Sequence, residues 1–114
     1  MNIPQNTPFV NQVKPAAGTL DALALALEYQ TFLQEFIVCN QGNASDFFRM
    51  ALCAVPNNGI LCNPTSEMYM YYDVEIPAKT TFTVNMNSMV VPRGTNILVQ
   101  SENGDISFTL SMLR

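Results

Sequence analysis

Two carboxylates two residues apart, Asp73 and Glu75, are the nearest this sequence comes to a catalytic pair. Held ~5–9 Å apart in a cleft, such groups can serve a glycosidase as acid and base or as acid and nucleophile. On a strand they share one face, and a solvated face is the simpler reading. The 114 residues contain no histidine, which removes the commonest general base and any Ser-His-Asp arrangement. Glu102 and Asp105 flank Asn103-Gly104, where polar residues belong in a turn. Neither pair makes a catalytic set, and the expectation is a protein that is not an enzyme.

Metal chemistry fares no better. The three cysteines, Cys39, Cys53 and Cys62, have no C-x-x-C spacing. Without histidine, zinc would need carboxylate or external ligands, so no metal and no cofactor are expected. Cys39 and Cys53 lie in apolar strand runs and read as small buried hydrophobes. A Cys53–Cys62 bridge is within geometric reach, but a reducing cytoplasm argues against it.

What remains is contact chemistry. Tyr69, Tyr71 and Tyr72, with Met68 and Met70, form a dense aromatic and methionine run. Aromatic rings give large contact area at little entropic cost, so such a run serves an interface, a glycan platform or a core. Tyr69 and Tyr71 fall on one face of a strand, divided evenly between core and interface as readings. Without Trp, His or a basic guide residue, glycan binding is the weaker option. Arg49 sits in an otherwise apolar strand just beyond Phe47-Phe48. It reads either as pairing a carboxylate or carbonyl at an interface or as a snorkelling surface arginine.

Composition points the same way. Hydrophobic residues make up 48% of the chain and charged residues only 12%, against about 25% in ordinary domains. A monomer usually keeps more surface charge to stay soluble. Either sister subunits or a larger assembly cover much of the exterior, or Thr, Ser, Asn and Gln take over the role of charge. Five basic residues, Lys14, Arg49, Lys79, Arg93 and Arg114, are spread along the chain, and the net charge is −4. No basic cluster meets phosphates, so nucleic acid is not an expected partner. No apolar run reaches the ~18 residues of a membrane span. Nor does the start resemble a signal peptide, so synthesis in a cytoplasm is expected.

The elements that must position these residues are strands. Phe82, Val84 and Met86 alternate with Thr81, Thr83 and Asn85, a two-residue period that divides core from exterior. From Tyr69 to Leu110 the pattern is short strand, tight turn, short strand, and Asn103-Gly104 predicts a two-residue hairpin. Residues 20–39 read as two strands with a turn near Glu28 to Gln30. The helix formers Ala and Leu are plentiful there, but Leu23, Leu25, Leu27 and Tyr29 recur at every second residue. A strand over 46–55 precedes a surface loop near residues 56–66. The sum is an all-β, antiparallel β-sandwich of about eight strands, jelly-roll-like, over residues 20–114. A domain of this length buries roughly 65% of its unfolded surface.

Residues 1–19 read as an extended N-terminal arm. Pro4, Pro8 and Pro15 exclude a helix or a central strand. Such an arm is held by its own domain or by a neighbouring subunit, through Ile3, Phe9, Val10 and Val13, and the neighbour is the expectation.

The order of segments resembles a known family. Phe36-Ile-Val-Cys-Asn40 closes on Gly42 and leads to Phe47-Phe-Arg-Met50. Tyr72-Asp-Val-Glu-Ile-Pro-Ala78 follows, then Thr80-Thr-Phe-Thr-Val84, Val91-Pro-Arg-Gly-Thr-Asn-Ile-Leu-Val-Gln-Ser101 and Ile106-Ser-Phe108. Over about residues 20–112 this is similar to the small β-sandwich structural proteins of tailed bacteriophages, which serve as capsid decoration (cement) proteins or as tail and baseplate components. Relatives usually carry a proline turn between the first two strands, where this chain has Glu28-Tyr-Gln30. The resemblance implies a virion location and a clamp on neighbouring capsid subunits. It further implies the major capsid protein or other virion proteins as partners, and a homo-oligomer, with a trimer favoured. Arm docking would then fall to Ile3, Phe9, Val10 and Val13, and subunit contact to Tyr69 and Tyr71. The alternative is a tail, baseplate or fibre component, including a carbohydrate-binding module.

Overall fold

The computed structural model describes residues 7–24, 27–53 and 63–114. Among the described residues eight strands run β1 (Pro8–Val13), β2 (Asp21–Ala24), β3 (Thr31–Asn40), β4 (Asp46–Cys53), β5 (Tyr69–Ile76), β6 (Thr81–Val91), β7 (Asn96–Ser101) and β8 (Ile106–Leu113), with a 3-10 turn at Ser66–Met68. They form two antiparallel four-stranded sheets, β1-β8-β3-β6 and β2-β7-β4-β5. That strand order is a jelly roll. The expected all-β sandwich is therefore the fold.

The connections differ from the expectation. Among the described strands only β4 and β5 are both consecutive and paired; the other connections cross from one sheet to the other. Asn103-Gly104 therefore does not close a hairpin, because β7 and β8 belong to different sheets. Gly104 does take the left-handed backbone (φ 78°). Its turn is shaped instead by a buried carboxylate, since Asp46 accepts from the backbone N–H groups of Phe47 (2.7 Å), Asn103 (2.9 Å) and Asp105 (3.2 Å). Asn40 does similar work on the neighbouring connections, donating to the carbonyls of Ala44 and Ile76 at 2.9 Å each. Both side chains are buried, so each satisfies backbone groups that water cannot reach.

Part of the arm belongs to the domain. Residues 8–13 form an edge strand on β8, in register from Pro8↔Leu113 to Val13↔Phe108. Phe9 and Val13 pack against the domain's own core, which corrects the expectation that a neighbour holds them. The reason is periodicity: Phe9 and Val13 lie an even number of residues apart and so face the core together. The Asn11 side-chain amide also donates to the Leu23 carbonyl at 3.0 Å, tying β1 to β2. Proline is tolerated because Pro8 starts an edge strand. Ile3 lies outside the described residues.

The inter-sheet core is aromatic at its centre. Phe36, Phe48 and Phe108 are fully buried, with ring centroids about 6 Å apart. Leu33, Val38, Met50, Ile97, Val99, Ile106, Leu110 and Met112 complete it from both sheets. Along β6, Phe82, Val84 and Met86 turn inward while Thr81, Thr83 and Asn85 are exposed, as their alternation predicts. In β2, pairing with β7 overrides the helix propensity of Asp-Ala-Leu-Ala; Leu25 lies outside the described residues.

Candidate functional site

Two surfaces stand out, one on each sheet. The first is built by irregularities between β4 and β5. Their register slips twice, between Phe48 and Met50 and again between Met50 and Ala51. At the first slip Asp73 adopts a positive φ of 51°, the bent backbone of a β-bulge. The extra residue brings the Asp73 carboxylate onto Arg49, with Nε–H to Oδ1 at 2.6 Å and Nη2–H to Oδ2 at 3.1 Å. The guanidinium also lies 4.0 Å from the centroid of the Tyr72 ring, and Tyr69 meets Tyr72 edge to face at 5.1 Å. The hydrogen bond from Arg49, aided by its charge, holds the Asp73 carboxyl below the usual aspartate range against a smaller opposing desolvation. The same bond raises Arg49 further.

The second slip separates the two tyrosines that strand alternation puts together. Tyr71 stands opposite Met50 and joins the core, with ring centroids 5.6 Å from Phe48 and 6.0 Å from Phe36. Tyr69 stands opposite Ala51 and packs on Tyr72 instead. Tyr71 therefore packs against the core, and half-buried Tyr69 sits in the surface cluster with Tyr72. Arg49, for which the sequence left pairing at an interface and a snorkelling surface position both open, pairs with a carboxylate of its own chain. Asp73 and Tyr72 complete the cluster, and no sequence signal marks the bulge that recruits them. Beside it opens a groove of about 510 Å³ lined by Gly18, Phe47, Arg49, Asp73, Gln100 and Glu102.

The second surface is the outer face of β1-β8-β3-β6. Cross-strand register aligns Pro8 with Leu113, Leu113 with Phe32, and Phe32 with Val90, an apolar row across all four strands. Each row member alternates with a residue that turns to the core, such as Leu33, Val91 and Met112. In these four strands Glu35 is the only charged residue. Lys14, Lys79, Arg93 and Arg114 stand just beyond the strand ends. Among the described residues the most exposed large apolar side chains, Val10, Met70, Tyr72, Met89 and Val90, lie on β1, β5 or β6, each the edge of its sheet. Val10 is thus the described arm anchor that faces out, at 57% exposure.

The cysteines depart from expectation. Cys39 is a free thiol, half-buried on this outer face opposite Ser107 and Thr81, because its neighbours Val38 and Asn40 take the inward positions. Cys53 is buried, as expected, at the end of β4 with its sulfur 3.5 Å from that of Met68. It is disulfide-bonded, where a reducing cytoplasm argued against a bridge; Cys62 lies outside the described residues. Among the described residues no group of three or more His, Cys, Asp or Glu is placed to hold a metal, and no helix is long and apolar enough to cross a membrane.

Comparison with protein families, with curated proteins and with solved structures finds no match to this chain.

Proposed function

We propose that this chain is a structural protein of a larger assembly, a clamp that joins neighbouring subunits through the outer face of the β1-β8-β3-β6 sheet. The observation that carries the reading is the row Pro8–Leu113–Phe32–Val90 on a sheet with one charge. Contiguous apolar surface lacking charge, rimmed by polar groups, is the character of an interface core. The rim of Lys14, Lys79, Arg93 and Arg114 fits a partner whose own apolar patch is ringed by carboxylates. Open edge strands supply further contact, because their unpaired backbone groups can pair with another chain.

The assembly that the sequence resemblance favours is a tailed-phage virion. In that reading the chain is a capsid decoration protein on the major capsid protein, as a trimer, with a tail, baseplate or fibre position as the alternative. A clamp needs wide contact and no catalytic group, which agrees with a sequence lacking histidine. Since β1 is committed to its own sheet, the clamping surface is the sheet face and Val10, in place of Phe9 and Val13.

Light scattering of the purified chain, followed by its addition to particles stripped of it, tests this. A trimer and saturable binding are expected. A highly soluble monomer with no affinity for the particles would overturn it.

A further inference from the structure

We propose that the groove on the outer face of the β2-β7-β4-β5 sheet binds a neutral saccharide. Its lining is Gly18, Phe47, Arg49, Asp73, Gln100 and Glu102, and its volume of about 510 Å³ suits a small ligand. Arg49 spends two N–H groups on Asp73, which leaves three of the five that a guanidinium carries. Asp73 and Glu102 supply carboxylate acceptors. The Gln100 amide can both donate and accept, and among the described residues it is engaged only by a long 3.4 Å contact to the Gly18 carbonyl. Half-buried Phe47 adds apolar surface, and Tyr72, 58% exposed, stands beside Arg49.

The chemistry of the lining selects the ligand class. An anionic ligand would find Arg49 already neutralised by Asp73, with Glu102 and the nearby Glu75 repelling it. A metal ion would find no suitable cluster among the described residues. An apolar ligand would bury the free donors of Arg49 and Gln100 without partners, which is costly. Hydroxyl groups donate and accept at once, so a sugar can meet donors and acceptors placed side by side. Its C–H face can lie on an aromatic ring, as aromatic platforms allow. Arg49 is already fixed by two hydrogen bonds and the Tyr72 ring, so little side-chain freedom is lost on binding.

The test is a nitrogen-15 NMR titration of the full chain with glucose, galactose, mannose, N-acetylglucosamine and cellobiose, run beside glucuronate as the acidic counterpart. At least one neutral sugar should give saturable shifts at the amides of Phe47, Arg49, Asp73 and Gln100, with a dissociation constant on the order of 1 mM. Glucuronate should bind more weakly than glucose. Gln100→Ala should weaken binding at least about tenfold, as should Arg49→Lys, which keeps the charge but loses the planar fork. Both variants should keep the wild-type melting temperature. Absence of saturable shifts with every neutral sugar, affinity unchanged in both variants, or a preference for glucuronate would overturn the proposal. Assembly is read on the opposite sheet, so this outcome is independent of oligomeric state.

Discussion

Arg49 and Asp73 are joined by two hydrogen bonds of 2.6 and 3.1 Å, although they lie on different strands and only a bulge brings them together. Asp73 holds its positive φ of 51° in a conformation that Asn and Asp tolerate better than other non-glycine residues. The bulge therefore needs a residue of this type for its backbone, while the ion pair needs its charge. Asp73→Asn separates the two requirements.

The pair makes a pH prediction. The folded pKa of Asp73 is depressed, so the stability it contributes is present above the unfolded aspartate value, about 3.9. It is lost as pH falls through the lower folded value. A carbon-13 titration of the Asp73 carboxyl should show a midpoint below that of an unpaired aspartate, and Arg49→Gln should move it back up. Because half the carboxylate is exposed, the stability effect is small and salt-sensitive.

Asp46 should matter far more to stability, though it touches no groove or interface. It is fully buried and accepts three backbone N–H groups at the β7–β8 crossing. Asp46→Ala orphans all three, at about 1–3 kcal/mol for each one left unsatisfied. Urea unfolding should show a loss of about 3 kcal/mol or more, with Asp46→Asn in between because its amide keeps one acceptor oxygen.

The tyrosine split predicts unequal costs for equal substitutions. Tyr71→Ala empties space beside Phe36 and Phe48 and should cost about 3 kcal/mol. Tyr69→Ala removes a contact with an exposed ring and should stay within about 1 kcal/mol. Thermal melts of the two variants decide it; equal losses would contradict the register across β4 and β5.

The alternation in β6 and β8 is local, so Phe82, Val84, Ile106, Phe108 and Leu110 turn inward where the pattern puts them. Arg49 was legible as a charge in an apolar strand. The separation of Tyr69 from Tyr71 was not, because a bulge depends on the partner strand and leaves no mark in its own residues. Asn103-Gly104 carries hairpin residues, yet tertiary hydrogen bonds to Asp46 direct the chain to the other sheet. The row from Pro8 to Val90 was invisible for a related reason: it needs the mutual register of four strands, no two of them consecutive.

That row gives the last prediction. Phe32 and Val90 are paired across β3 and β6, outside the inter-sheet core cluster. Phe32→Gln and Val90→Thr each exchange apolar surface for a polar group while keeping a side chain that the strand accepts. If the sheet face is where copies or partners meet, the double variant should fold with a stability within about 1 kcal/mol of wild type. It should nevertheless lose association by light scattering, because each side chain fully buried in an interface is worth about 1.5–3 kcal/mol. Intact association in the double variant would move the interface to the β5 edge, where Met70 and Tyr72 are exposed. Unfolding of the variant would mean instead that the row belongs to the folding core; the single Val90→Thr change at a half-exposed site distinguishes that case, since by itself it should leave the melting temperature unchanged.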